Sequence, residues 1–160
     1  DCRGGWVLDD QYMGQMGSPY LLAHGLGVPV DNASTVIRVE NGGKYRVWVR
    51  TRDWVKQWDQ TASPGRFELL LNGKALEVTF GTERAEWHWQ DGGTICLKTG
   101  ENRVELRDLT GFDGRCDAIF FTSALEMLPP DGKDAGQGAE AGSPPAGGRP
   151  RPDGRQAGQS

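Results

Sequence analysis

The chain is poor in the residues that most reaction chemistry uses. It has two histidines, His24 and His88, and neither has a neighbour in sequence that would make it a metal ligand or a general base. Its three cysteines, Cys2, Cys96 and Cys116, cannot all pair, and their spacing fits no zinc site. No G-x-G-x-x-G fingerprint and no G-x-S-x-G elbow is present. Acidic residues are plentiful, but spacing alone selects no glycosidase pair. No catalytic residue, and no enzymatic activity of the chain itself, is expected.

Other absences exclude other classes. No apolar run approaches the roughly 20 residues of a membrane span. Lys and Arg total 18 against 22 Asp and Glu, a net charge of −4. A nucleic-acid or anionic-membrane partner would call for a basic excess, so neither is expected. No stretch carries a convincing helical period. All six Trp, three Tyr and five Phe lie before residue 129. Residues 129–160 hold 14 Gly or Pro in 32 positions, and their only other apolar side chains are alanines. Such a composition buries too little surface to offset the entropy of ordering. The chain divides into a folded module, 1–128, and a disordered Gly/Pro-rich tail or linker, 129–160. It begins at Asp1 without an initiator Met, and reads as a module cut from a larger protein.

What is present is alternation. Lys44-Tyr45-Arg46-Val47-Trp48-Val49-Arg50-Thr51-Arg52 has period two. Tyr45, Val47, Val49 and Thr51 take one face; Lys44, Arg46, Trp48, Arg50 and Arg52 take the other. Phe67, Leu69 and Leu71 form a second inward set, and Asn72-Gly73 is a hairpin turn. Trp6-Val7-Leu8, Tyr20-Leu21-Leu22-Ala23, Thr35 to Val39, Ala75 to Phe80, Thr94 to Lys98, Arg103 to Leu109 and Asp117 to Thr122 read as further strands. Eight or nine short strands with turn signals every 8–12 residues predict an all-β antiparallel sandwich or jelly roll.

One stretch stands out for function. In an extended Trp87-His88-Trp89-Gln90-Asp91-Gly92-Gly93, the two indoles share a face and form a ledge that a Gly-Gly turn closes. The loop Asp53 to Pro64 adds Trp54 and Trp58, and long ordered loops are often functional. Aromatic faces suit the apolar face of a sugar ring, with Arg52, Asp53, His88, Gln90 and Asp91 placed to hydrogen-bond hydroxyls. The same aromatics would equally plug the end of a sandwich or dock on a partner domain. Asp113-Gly114 reads as a turn, with Asp117 or Asp108 pairing with an arginine; the alternative is that Asp113-Gly114-Arg115 is a ligand-binding loop.

Four segments in order carry a resemblance: Gly43-Lys44-Tyr45-Arg46-Val47-Trp48-Val49-Arg50, Phe67-Glu68-Leu69-Leu70-Leu71-Asn72-Gly73, Gly100-Glu101-Asn102-Arg103-Val104-Glu105-Leu106, and Asp117-Ala118-Ile119-Phe120. From Trp6 to Phe121 the layout resembles the galactose-binding-like β-sandwich of carbohydrate-binding modules. More narrowly, Gly4-Gly5-Trp6-Val7-Leu8-Asp9, the run Met16 to Gly25 and the run Leu109 to Asp117 resemble an accessory domain of bacterial FAD-dependent oxidoreductases, including proteins called xanthan lyases. The resemblance implies a non-catalytic carbohydrate-binding module, or alternatively a structural domain docked on a larger parent enzyme, an oxidoreductase or polysaccharide lyase. Any FAD would then belong to the parent. It also implies a structural calcium held by a first-strand Glu and the closing Asp117, but Asp1-Cys2-Arg3 does not supply that Glu.

Overall fold

The computed structural model describes residues 1, 4–11 and 19–130. Cys2, the Met13–Gly17 stretch and the 131–160 tail lie outside the described residues. Nine strands follow one another: β1 (Trp6–Asp9), β2 (Tyr20–His24), β3 (Ala33–Val39), β4 (Gly43–Thr51), β5 (Phe67–Leu71), β6 (Lys74–Phe80), β7 (His88–Leu97), β8 (Gly100–Asp108) and β9 (Phe112–Thr122). Among the described residues there is no helix. The strands form two antiparallel sheets, in the orders β1-β2-β9-β4-β7 and β3-β8-β5-β6. The predicted all-β antiparallel sandwich is the observed fold.

The period-two alternation places the core. Val47, Val49 and Thr51 on β4 are fully buried, while Arg46, Trp48 and Arg50 lie on the outer face of the five-stranded sheet. From the facing sheet come Phe67, Leu69, Phe80, Val104 and Leu106. Phe67 stacks on Phe80 at 5.8 Å and meets the edge of Trp6 at 5.7 Å. The Asn72-Gly73 hairpin is as predicted, with φ of 50° and 84° at its two central residues. That pair of positive angles is what a tight two-residue turn between twisted strands requires.

One turn expectation is overturned. Gly92 and Gly93 do not end a strand; they lie inside β7, which runs on through the segment read as separate from Thr94. Arg46 pairs with Thr94 and Trp48 with Asp91, so Gly92 and Gly93 together oppose the single residue Val47. This is a β-bulge. Glycine is needed there because a Cβ on Gly92 would stand 2.8 Å from Val47 Cγ1, and Gly93 takes φ 81°. A bulge in β9 has a different use. Arg50 pairs with Ala118 and Thr51 with Cys116, which leaves Asp117 as the extra residue. Its carboxylate meets Arg50 at 3.0 Å, with the two side chains 12% and 8% exposed.

Asp113 and Gly114, read as a turn, lie inside β9. The start of β9 pairs with β2, His24 opposite Phe112. Cys96 is exposed and Cys116 buried, and neither is bridged. An apolar cleft of about 510 Å³ opens between the sheets along β3 and β9, walled by Leu21, Ala33, Ile37, Val104, Leu106 and Phe121. It includes none of the tryptophans.

Candidate functional site: a loop platform at one end of the sandwich

The strand registers gather four connections at one end. Phe67 lies opposite both Phe80 and Asp108, Thr51 opposite His88, His24 opposite Phe112, and Ala33 opposite Leu106. Loops 25–32, 52–66, 81–87 and 109–111 therefore share that end. Backbone and side-chain bonds fuse them. Asp108 accepts from the amides of Val30 at 3.0 Å, Gly111 at 2.9 Å and Thr110 at 3.2 Å. Gly25 and Gly27 amides donate to the Gly111 carbonyl. Gly111 has φ 71°, and a Cβ there would meet the Val28 backbone at 2.2 Å, so no other residue fits. Thr110 Oγ1 donates to the Pro64 carbonyl, and the Asp53 amide to the Arg84 carbonyl at 2.7 Å. Loops tied this way form a platform that can present side chains in fixed positions.

On the platform stands an aromatic corner. Trp58 is 72% exposed and meets Trp54 edge-on at 6.4 Å, with the ring planes at 73°. Trp54 is held from two sides. Its Nε1 donates to the Phe112 carbonyl at 3.2 Å, and the Arg115 guanidinium lies 5.6 Å from its ring centroid. The loop beneath is ordered by Asp59, whose Oδ1 accepts from Thr61 and Ala62. The Thr61 bonds hold the Asp59 carboxyl below its usual range. Beside the corner, Phe112 is 51%, Leu26 83% and Val28 68% exposed, an unusual concentration of apolar surface on a loop end. His24 Nδ1 and Asp113 Oδ1 are 3.3 Å apart, both accessible. Leu26 and Asp113 take φ of 51° and 56°, conformations that β-carbon residues adopt at a cost and that gather at functional sites.

The other sequence candidates have structural duties. Trp87 and Trp89 do not form a free ledge. Each is half-buried against a different neighbour, Trp87 on Tyr20 at 4.8 Å and Trp89 on Phe120 at 6.2 Å. Trp89 Nε1 is taken by the Pro130 carbonyl at 2.9 Å. Arg52 and Asp53 are buried, and Asp53 Oδ1 accepts the Val55 amide at 3.2 Å. His88 sits between the Glu86 carbonyl and the Glu83 carboxylate, at 2.9 and 3.2 Å. Gln90 is buried and braces the Phe80–Thr82 turn through Gly81 and Thr79. Asp91 forms a two-pronged pair with Arg46, at 2.6 and 3.2 Å, and that guanidinium holds its carboxyl below the usual carboxylate range. Arg46 also lies 4.9 Å over the Trp48 ring, the stacking that the alternation of β4 predicts. Asp117 pairs with Arg50, and Asp108 holds amides rather than an arginine.

Of the side chains on this platform, the sequence singles out Trp54 and Trp58 but not Leu26, Val28, Phe112 or the pairing of His24 with Asp113. The last two residues are 89 positions apart, and only the β2–β9 register joins them. A calcium at Asp117 does not fit the residues present. Its carboxylate is engaged by a guanidinium, and no group of three His, Cys, Asp or Glu among the described residues is placed to hold a metal. Calcium needs six to eight oxygens.

Tyr20 marks how firmly the outer face is packed. Its hydroxyl donates to Asp9 Oδ2 at 2.5 Å. Burial, and then that bond, push its pKa up to about 12 from 10.0. The folded state thus keeps a proton that the unfolded chain loses near pH 10. The stabilisation is fully present below that pH and is lost as pH rises through about 12. Absorbance of the phenolate near 295 nm is expected to show a late tyrosine step that Tyr20→Phe removes.

No protein-family model matches the chain, and no curated protein matches it. Solved structures do. The family-35 carbohydrate-binding module of Clostridium thermocellum is 17% identical with a TM-score of 0.56, over 75% of this chain and 89% of that one. The family-35 module of Paenibacillus barcinonensis is 18% identical with a TM-score of 0.53, over 75% and 94%. A Podospora anserina β-(1,4)-mannanase joining a family-26 glycoside hydrolase to a family-35 module is 20% identical with a TM-score of 0.58. The match covers 78% of this chain but only 26% of the mannanase. None of these supports the narrower resemblance to an FAD-oxidoreductase accessory domain. The nine-stranded sandwich described above has the fold of the family-35 carbohydrate-binding modules.

Proposed function

We propose that the chain is a non-catalytic carbohydrate-binding module, and that its ligand sits on the loop platform, against Trp58. The observation that carries this reading is the exposed Trp58 ring standing edge-on to Trp54. A flat indole, with few rotors to fix, offers its π face to the C–H face of a sugar at low entropic cost. The His24–Asp113 pair supplies polar atoms for hydroxyls on the same end. Likeness in fold to modules that are named for carbohydrate binding supports the ligand class. Of the residues picked from sequence, Trp54 and Trp58 stay in the proposed site. Arg52, Asp53, Trp87, His88, Trp89 and Asp91 act behind or beside it.

Titration calorimetry or affinity electrophoresis against a panel of mannans, xylans, galactans and acidic polysaccharides tests this. Retardation by at least one glycan is expected. Its tryptophan resonance shifts should centre on Trp54 and Trp58, with Trp89 unmoved. A folded protein that no glycan in the panel retards would sink the proposal.

A second reading has an observation of its own. Leu26, Val28 and Phe112 form an apolar surface of the kind that protein interfaces use. In this reading the module is a structural accessory domain seated on a larger parent, an oxidoreductase or a polysaccharide lyase. Loss of domain association in the full-length parent on Leu26→Asp, with glycan binding intact, would favour it.

A further inference from the structure

After β9 the chain turns back over the sandwich. The Met127 amide closes a turn on the Ala124 carbonyl at 2.9 Å, and the Thr122 hydroxyl reaches Met127 Sδ at 3.8 Å. Two donors on the outer face of the five-stranded sheet then mark its path. Arg46 Nη1 donates to the Leu125 carbonyl at 3.2 Å, and Trp89 Nε1 to the Pro130 carbonyl at 2.9 Å. Arg46 lies opposite Thr122 and Thr94, whereas Trp89 lies opposite Arg50, four residues further along β4. At about 3.3 Å per residue, the chain retraces about 13 Å toward the loop end.

The surface it crosses is aromatic. Trp89 meets Phe120 edge-on at 6.2 Å. Phe120 pairs in register with Trp48, whose ring carries the Arg46 guanidinium. The segment that arrives there ends in Pro129-Pro130. Consecutive prolines fix φ and hold an extended, left-handed backbone whose carbonyls have no internal donor. Indole N–H groups projecting from aromatic surfaces are the complement that such segments find in proline-recognising grooves.

We propose that the Trp48–Trp89–Phe120 strip is a proline-recognising surface whose occupant is the chain's own Leu125–Pro130 segment. This strap holds the point where the chain leaves the sandwich at the level of Arg50, two residues from the start of the Trp54–Trp58 loop. It accounts for the Trp89 indole without any glycan, and it stands independently of the ligand that the platform takes.

The test uses the full chain. Hydrogen exchange of the Trp89 indole N–H is followed by NMR, its peak assigned by Trp89→Phe. In the parent chain this proton is expected to be protected. In the Pro129→Gly/Pro130→Gly variant it should exchange at least about tenfold faster, with the other indole peaks in place. Adding a peptide of residues 123–130 should restore protection. Trp89→Phe, which keeps a ring and loses the donor, should speed amide exchange across 124–128, the residues of the strap that carry an amide proton. Unchanged Trp89 exchange in the double-glycine variant, or unchanged amide exchange in Trp89→Phe, would overturn the proposal.

Discussion

Phe67→Ala is expected to lower the unfolding free energy by about 3–5 kcal/mol, the range for emptying a fully buried aromatic site. Phe67 has no exposed surface. It stacks on Phe80 within its own sheet and meets the edge of Trp6 from the facing one. Its backbone is fixed on both sides, by Phe80 in β6 and Asp108 in β8, so the walls cannot collapse far into the space left behind. The loss should exceed a transfer term alone, because ring–ring contacts add about 0.5–1.5 kcal/mol each beyond the area they bury. Urea denaturation checks it. A midpoint shift with unchanged slope would report lost stability in a two-state transition. A loss below about 1 kcal/mol would mean that the sheets repack into the space that Phe67 leaves.

Trp58→Ala is expected to weaken whichever glycan is retained by at least about tenfold, on the order of 1.4 kcal/mol. Stability should change by less than about 0.5 kcal/mol, since the ring is largely in solvent. The two outcomes separate a binding residue from a structural one. Trp54→Ala should lose binding and some stability together, because Trp54 also fastens the loop to the Phe112 carbonyl and stacks with Arg115. Calorimetry alongside thermal unfolding provides both readouts. Full glycan affinity in Trp58→Ala would move the ligand off the platform.

Much of the sandwich was legible because its signals are local. Period-two alternation in β4 is a property of consecutive residues, and it assigned Val47 and Val49 to the core and Arg46 and Trp48 to the outside. Asn72-Gly73 announces its turn through the two positive φ angles that those residues tolerate. Gly92-Gly93 misled for a related reason. A glycine pair marks unusual backbone, but whether that backbone is a turn or a bulge depends on the partner strand, and here Val47 and Phe80 approach too closely for any side chain on Gly92.

The candidate site was half legible. Tryptophans crowded into a long loop identify Trp54 and Trp58 as residues to watch, and composition alone argues for a binding surface over a reaction centre. Sequence could not say which tryptophans stay exposed. Trp87 and Trp89 have the right spacing for a ledge, yet each is occupied by a residue distant in the chain: Tyr20 for one, Phe120 and Pro130 for the other. Arg52 and Asp53 look like surface polar groups and are buried, because the loops fold over them. His24 meets Asp113 only because β2 and β9 pair in one register, and Phe112 carries Trp54 only because β4 pairs with β9. Alternation and turn chemistry act over a few residues and determine strands and faces. Exposure and partnership are set by the packing of loops from four connections, and only the tertiary structure decides those.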